Sequence, residues 1–307
     1  MRAVLVGSVE SSRIALEALG DAADWTVAGV VSLRDALSGR HSDFVDMAAA
    51  AKARGARPIQ VANVNDPEAL SAIRDCRPDY LFVIGWSQIC GPDFRAIAPG
   101  RTIGYHPAAL PRMRGRAAIP WTILADEKIT AGSLFWIDGG TDTGALLDQA
   151  YFHVAPGETA ATLYAKHMRA LREMLARTLP VLARGEEPRR EQDEDCATWC
   201  ARRTAADGRI DWTRPASQIA RLVRAVGRPY PGAWTCAGDN RLTIWSAREC
   251  GSGERHLAGA GQVISREENA FTVSCGNGGA LRVEEWESTT GRMPGVHVLL
   301  GEGAASC

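Results

Sequence analysis

Two residues have the types and spacing to do chemistry. His106 stands in TIGYHPAALPRMRG (102–115), and Asp142 follows in the glycine-rich turn DGGTDTG. A histidine can take a proton from an attacking amine or water when a partner orients its ring in a dry pocket. A carboxylate on a glycine-rich turn can supply that partner, because the backbone there approaches a ligand closely. Each residue also has a plainer reading: His106 as a loop residue fixed by the following proline, Asp142 as a turn former bonding its own backbone. Spacing alone leaves both readings open.

The elements that must position them read as an α/β domain. RAVLVGS is a buried-strand pattern that breaks at Gly7 into SSRIALEALGDA, a helix expected to start on a serine cap. TVAGVVS, RPIQVA and DYLFVIG are further strands, alternating with helices at DFVDMAAAAKARG, closed by Gly55, and DPEALSAIRDC, with proline in its first turn. Such alternation implies a mostly parallel sheet covered on both faces. Ligands then sit at the carboxyl ends of the strands. Here that rim comprises Gly7 to Ser12, Gly85 to Cys90, and the end of RTIGYH, which carries His106. A helix at 118–124, strands at AGSLFWID and ALLDQAYFHV, and a long helix over 159–184 follow. That helix carries the apolar stripe Leu163, Met168, Leu171, Leu175, Leu179 and Leu182, a core-facing pattern.

GEEPRREQDED, almost all charged or proline, reads as an exposed linker. The expected division is therefore a catalytic domain over 1–185, a linker over 186–205 and a C-terminal domain over 206–307. In the last, a helix at 215–226 precedes RLTIWSA, GAGQVIS, AFTVSCG and ALRVEEW, short strands separated by glycines that suit a small antiparallel barrel or sandwich.

Composition narrows the function classes. The 307 residues carry 35 basic and 36 acidic side chains, so the strong global attraction to phosphate backbones typical of nucleic-acid binders is lacking. No stretch reads as a signal peptide or a membrane span, which predicts a cytoplasmic protein with no membrane partner. The eight cysteines are scattered and CATWC has no second pair, so free thiols and no metal site are expected. GSVESS supplies one glycine where a dinucleotide-binding loop needs three, and neither a GxSxG elbow nor an HExxH pair occurs.

HPAALPRMRG, followed by PWTILADEKITAGSLFWIDGGTDTGALLDQ, resembles the signature of the folate-dependent formyltransferase family, N-x-H-x-S-L-L-P-x-x-R-G and then D-x-G-P-I. The likeness extends back to the first strand and forward through RRTAADGRIDWTRPASQIARLVRAVGRPYPGAWT, which resembles the second domain of methionyl-tRNA and aminoarabinose formyltransferases. The resemblance implies a Rossmann-like domain binding 10-formyltetrahydrofolate, joined to a smaller OB-like β-barrel domain. It implies a catalytic set of Asn, His and Asp, in which Asn and His steady the oxyanion while Asp positions the His and assists proton removal. His106 and Asp142 match that set, whereas the Asn position holds Gly104. Ala108 replaces the motif serine, and Ala145 the proline after D-x-G. The folate would lie along Trp86, Ser87, Gln88, Ile89 and Cys90 and near Gly139, Gly140, Thr141 and Asp142. Ser8, Arg112, Arg114 and Gly115 are the expected acceptor-side contacts. Trp86 is expected to be exposed, and Trp121 and Trp136 to pack in the core.

The implied reaction is transfer of the formyl group to the amine of a small acceptor, an amino sugar or amino-acid derivative. Missing the Asn, the chain also resembles the hydrolase domain of 10-formyltetrahydrofolate dehydrogenase, which would make water the acceptor. An initiator tRNA is disfavoured because SLRDALSGRHSDF is short and weakly basic. A folate-binding protein that has lost catalysis is disfavoured by the retained His106 and Asp142. The sequence specifies no oligomeric state.

Overall fold

A computed structural model describes residues 1–40, 43–251 and 255–301. The regular elements are β1 (Arg2–Val6), α1 (Glu10–Asp21), β2 (Thr26–Leu33), α2 (Met47–Ala53), β3 (Arg57–Val61), α3 (Pro67–Asp75), β4 (Tyr80–Val83), α4 (Pro92–Arg95), β5 (Thr102–His106), β6 (Arg114–Gly115) and α5 (Ala118–Leu124). They continue as β7 (Ile129–Trp136), β8 (Leu146–His153), α6 (Ala160–Ala183), β9 (Trp199–Cys200), α7 (Ala216–Val226), β10 (Ala233–Ala237), β11 (Asn240–Cys250), β12 (Val263–Arg266), β13 (Phe271–Ser274) and β14 (Ala280–Ser288).

Seven strands form one sheet in the order β3-β2-β1-β4-β5-β7-β8. The first five are parallel, and β7 and β8 are antiparallel additions that follow β6 and α5. Side chains alternate across it as the pleat requires. Ala3, Leu5, Tyr80, Phe82 and Ile103 join the core under α1, α2 and α6, and Val4, Val6, Leu81 and Val83 join the core on the other face with Ile59, Leu70, Ile73 and Phe94. Both faces are covered, which is why these strands read as near-continuous apolar runs. The whole α6 stripe from Leu163 to Leu182 is buried. Truncating any of its leucines to alanine would cost about 2–5 kcal/mol.

Helix α1 departs from the expected serine cap. Its N-cap is Val9, and Ser12 lies inside the first turn, where its hydroxyl accepts from Val9 N (3.2 Å) and donates to Ile84 O (2.6 Å). That close approach needs Gly7, since a Cβ there would lie 2.0 Å from Ile84 O.

The chain divides into two compact units. The first comprises 1–118, 129–153 and 164–201, and the second 119–128, 154–163 and 202–307. Residues 186–201, read from their charge as the start of a linker, therefore group with the first unit. They are held there by specific bonds. Trp136 Nε1 donates to Pro188 O (2.8 Å), Leu146 and Arg190 exchange backbone bonds, and Arg101 and Tyr80 both bond Glu187. The second unit contains α7 and a five-stranded antiparallel sheet ordered β10-β11-β14-β13-β12. Its strand β10 falls outside the four strands expected from sequence. Both sheet edges are engaged by one segment, since His297 N donates to Val263 O and Gly301 N to Cys236 O.

Among the described residues, six cysteines are free thiols, whereas Cys236 is disulfide-bonded, against the expectation of free thiols throughout. No described helix is long and apolar enough to cross a membrane.

Candidate active site

His106 ends β5, and strand alternation decides which way it points. Ile103 and Tyr105 face the core under α6, so Gly104 and His106 face the opposite side. The His106 side chain is 7% exposed. Its Nε2 lies 2.7 Å from Met113 O, so that nitrogen carries the proton, because a carbonyl only accepts. Its Nδ1 lies 3.5 Å from Asp142 Oδ2. The sequence pair separated by the whole of β6, α5 and β7 is thus one spatial unit.

Three features hold Asp142. Its backbone is left-handed, at φ +56°, a region an L-residue occupies only when surroundings enforce it. Its Oδ2 accepts from Gly115 N at 2.8 Å. Its own carbonyl accepts from Gln192 Nε2 at 2.8 Å, and the same Nε2 donates to Gly144 O at 2.7 Å. The turn before it is closed by Asp138, whose Oδ1 accepts from Gly140 N (2.9 Å) and Thr143 Oγ1 (2.7 Å). Gly139, Gly140 and Thr141 are exposed on that turn.

Gly104 has little room for the amide that its position implies. It pairs directly with Phe135, and a Cβ at 104 would lie 2.8 Å from the Phe135 ring and 3.1 Å from Ile137 Cδ1. Phe135, Leu110 and Leu146 form a small buried cluster on this face. The space that a side chain at 104 would enter is filled by an aromatic ring.

The rim residues divide. Trp86 is half-buried rather than exposed, and its Nε1 is a buried donor with no described partner. Ile89 is 79% exposed. Gln88 is turned away to hold the loop after β3, accepting from Val64 N (2.9 Å) and donating to Ala62 O (2.8 Å). Ser87 O accepts from Arg116, and Cys90 is buried, which pushes its thiol up to about 12.

Of the acceptor-side residues, Ser8 is fully buried and its hydroxyl accepts from Leu33 N at 2.8 Å, a structural role. Arg114 is likewise fully buried, with its fork on Gln192 Oε1 and on both oxygens of Glu194, at 2.8 and 2.6 Å. Neither can reach a ligand as expected from sequence. Arg112 is exposed and Gly115 spends its N–H on Asp142. Trp136 is buried as expected, whereas Trp121 is half-buried with Arg203 over its ring. Met113 and Gln192 touch the pair and carried no sequence signal beyond their place near the motif and in a charged run. Among the described residues no three His, Cys, Asp or Glu side chains converge as a metal site.

Residues 3–179 match the family model described as formyl transferase, and residues 202–301 match the formyl transferase C-terminal domain. The fold is similar to that of an N-formyltransferase from Helicobacter canadensis solved with folinic acid and dTDP-3-aminofucose, at 16% identity and TM-score 0.67, covering 92% of this chain and 98% of that one. It is similar also to WlaRD, a sugar 3N-formyl transferase solved with dTDP and 5-N-formyl-THF, at 16% identity and TM-score 0.66, covering 92% and 97%. A third likeness is to HypX from Aquifex aeolicus in complex with tetrahydrofolic acid, at 16% identity and TM-score 0.65, where 94% of this chain spans 44% of that one. With the N-terminal model covering more than half of its length and the C-terminal model most of the remainder, the chain belongs to the formyl transferase family.

Proposed function

We propose that the protein transfers the formyl group of 10-formyltetrahydrofolate to the amine of a small acceptor. The observation that carries this reading is the His106–Asp142 pair at a strand end, with the carboxylate fixed by Gly115 N–H. The backbone of 86–90 would hold the folate, which supplies the formyl group when bound. An amino sugar carried on a nucleotide is the favoured acceptor, because one solved protein of this fold is named a sugar 3N-formyl transferase, another is an N-formyltransferase solved with dTDP-3-aminofucose, and both span nearly the same length.

The residues act as follows. As the amine nitrogen bonds to the formyl carbon and the bond from that carbon to the folate N10 breaks, a proton must leave the amine and one must reach N10. His106 Nδ1, the ring position without a proton, can take the first and return it to the departing nitrogen. A ring that has gained that proton donates at both nitrogens, to Met113 O and to Asp142. The pair therefore stabilises charge as it forms on the imidazole, a contribution of about 10²–10⁴ in rate for well-placed general acid–base groups. Burial of His106 keeps competing water from the ring.

Water is the second candidate acceptor, because the Asn position holds Gly104. The Phe135 ring fills the space that a side chain at 104 would enter, so no side-chain amide is supplied from that position. A lost donor of that kind costs about 10²–10³ in turnover with either acceptor, because attack by an amine and attack by water place the same charge on the formyl oxygen. Incubating the protein with 10-formyltetrahydrofolate and a panel of amines separates the two. A formylated amine by mass spectrometry supports transfer. Formate and tetrahydrofolate at the same rate with and without amine support hydrolysis.

A further inference from the structure

We propose that Gln192 is a positioning residue for Asp142, reaching the candidate site from the strap 186–201 that follows the long helix α6. The proposal rests on the reading of Asp142 as part of the catalytic pair. One side-chain amide has two N–H donors and an oxygen with two lone pairs. Gln192 uses all four. Its Nε2 donates to Asp142 O (2.8 Å) and Gly144 O (2.7 Å), and its Oε1 accepts from Arg114 Nη2 (2.8 Å) and Nε (3.2 Å). It is buried. No isosteric side chain can do this: a glutamate would turn an oxygen toward two carbonyl oxygens, and a methionine has no donor.

The same bracket reaches Asp142 from a second direction. Arg114 is locked by its fork on Glu194 and by its backbone N–H on Thr198 O (2.9 Å), and β6, of which it is part, pairs with β9 in register Arg114 with Trp199. The next residue is Gly115, whose N–H holds Asp142 Oδ2 at 2.8 Å. Gln192 therefore fixes the main chain of Asp142, and Arg114, through Gly115, fixes its carboxylate. The first anchor comes from the strap, and the second is held in place by it. The left-handed backbone of Asp142 makes such anchoring necessary, since a turn released from it would relax toward negative φ and swing the carboxylate off Nδ1 of His106.

The test uses the full chain and Gln192→Met, with Glu194→Ala as a second variant that leaves the buried amide in place. Two readouts are taken: steady-state turnover of 10-formyltetrahydrofolate, and hydrogen exchange of the Gly115 amide. We expect Gln192→Met to lower kcat roughly 10- to 100-fold, as misplacement of a reacting group by a fraction of an ångström does. KM for the folate should stay within about twofold, because a positioning loss leaves binding intact. Gly115 exchange should rise about tenfold as its acceptor is released. Glu194→Ala should shift both in the same direction by less. Unchanged kcat and unchanged Gly115 exchange in a cooperatively folded Gln192→Met overturn the proposal, as does a fall in kcat that only follows the folded fraction. If the wild type turns over no folate at all, the catalytic reading fails, while Gly115 exchange still decides whether Gln192 holds Asp142.

Discussion

At the scale of single residues, the pairing of Gly104 with Phe135 sets the character of the site. The two residues trade volume across β5 and β7: one strand gives up its side chain, and the other places a ring in the space. Gly104→Asn is therefore expected to overpack and to lower unfolding free energy by about 1–3 kcal/mol, read by urea unfolding. Phe135→Ala makes room, so the double variant should be more stable than the sum of the single changes by about 1 kcal/mol or more. If Gly104→Asn also restores an N–H donor to the formyl oxygen, the gain in amine transfer should appear only with Phe135→Ala. The motif made Gly104 legible as the missing Asn, and His106 and Asp142 legible as partners. It could not show what replaced the amide, because strand register is a non-local property and Phe135 sits in a stretch that reads simply as buried β. Arg114 misled for a related reason. An arginine in a loop motif looks like a ligand-binding group, and only its partners Gln192 and Glu194, about eighty residues on, show that its charge is already used.

At the scale of elements, α6 carries a titratable group into the core it forms with β5. His167 is fully buried and packs edge-on against Phe152. Tyr105 Oη lies 3.1 Å from His167 Nδ1 and 3.2 Å from His167 O. If Nδ1–H donates to the phenol oxygen and the phenol donates to the carbonyl, the unpartnered Nε2 is a bare lone pair, the less costly group to leave alone. Burial, with a smaller contribution from His106, pushes His167 down to about 3 from 6.5. The unfolded chain then binds a proton there that the folded chain refuses. This site's stabilisation is full above about pH 6.5 and falls as pH drops toward 3, with a slope approaching 1.4 kcal/mol per pH unit. Urea unfolding of wild type and His167→Gln from pH 4.5 to 7.5 checks it: the variant should have the flatter dependence. Helical spacing made the apolar face of α6 readable and the strand pattern did the same for β1 to β5. The strap over 186–201 was not readable, because its charged residues find partners such as Arg101 and Trp136 that lie far away in sequence, while composition records only charge.

At the scale of the whole molecule, the strap decides where the first unit ends. A chain cut after residue 185 loses the partners of Tyr80, Trp136, Leu146 and Arg114, whereas a chain cut after residue 201 keeps them. The longer fragment is expected to melt at a higher temperature than the shorter by several degrees, each 1 kcal/mol being worth about 2–4 °C at this size. Equal melting temperatures would mean that the strap contributes nothing to the unit it crosses. The family follows from the two matched models, and the reaction proposed for this chain rests on one pair of side chains. The most direct measurement is product formation from 10-formyltetrahydrofolate and a nucleotide-linked amino sugar, comparing wild type with His106→Ala and Asp142→Asn by mass spectrometry. The account predicts an N-formylated sugar from the wild type and a loss of at least about 10² in kcat/KM for each variant. Full turnover by His106→Ala would contradict it.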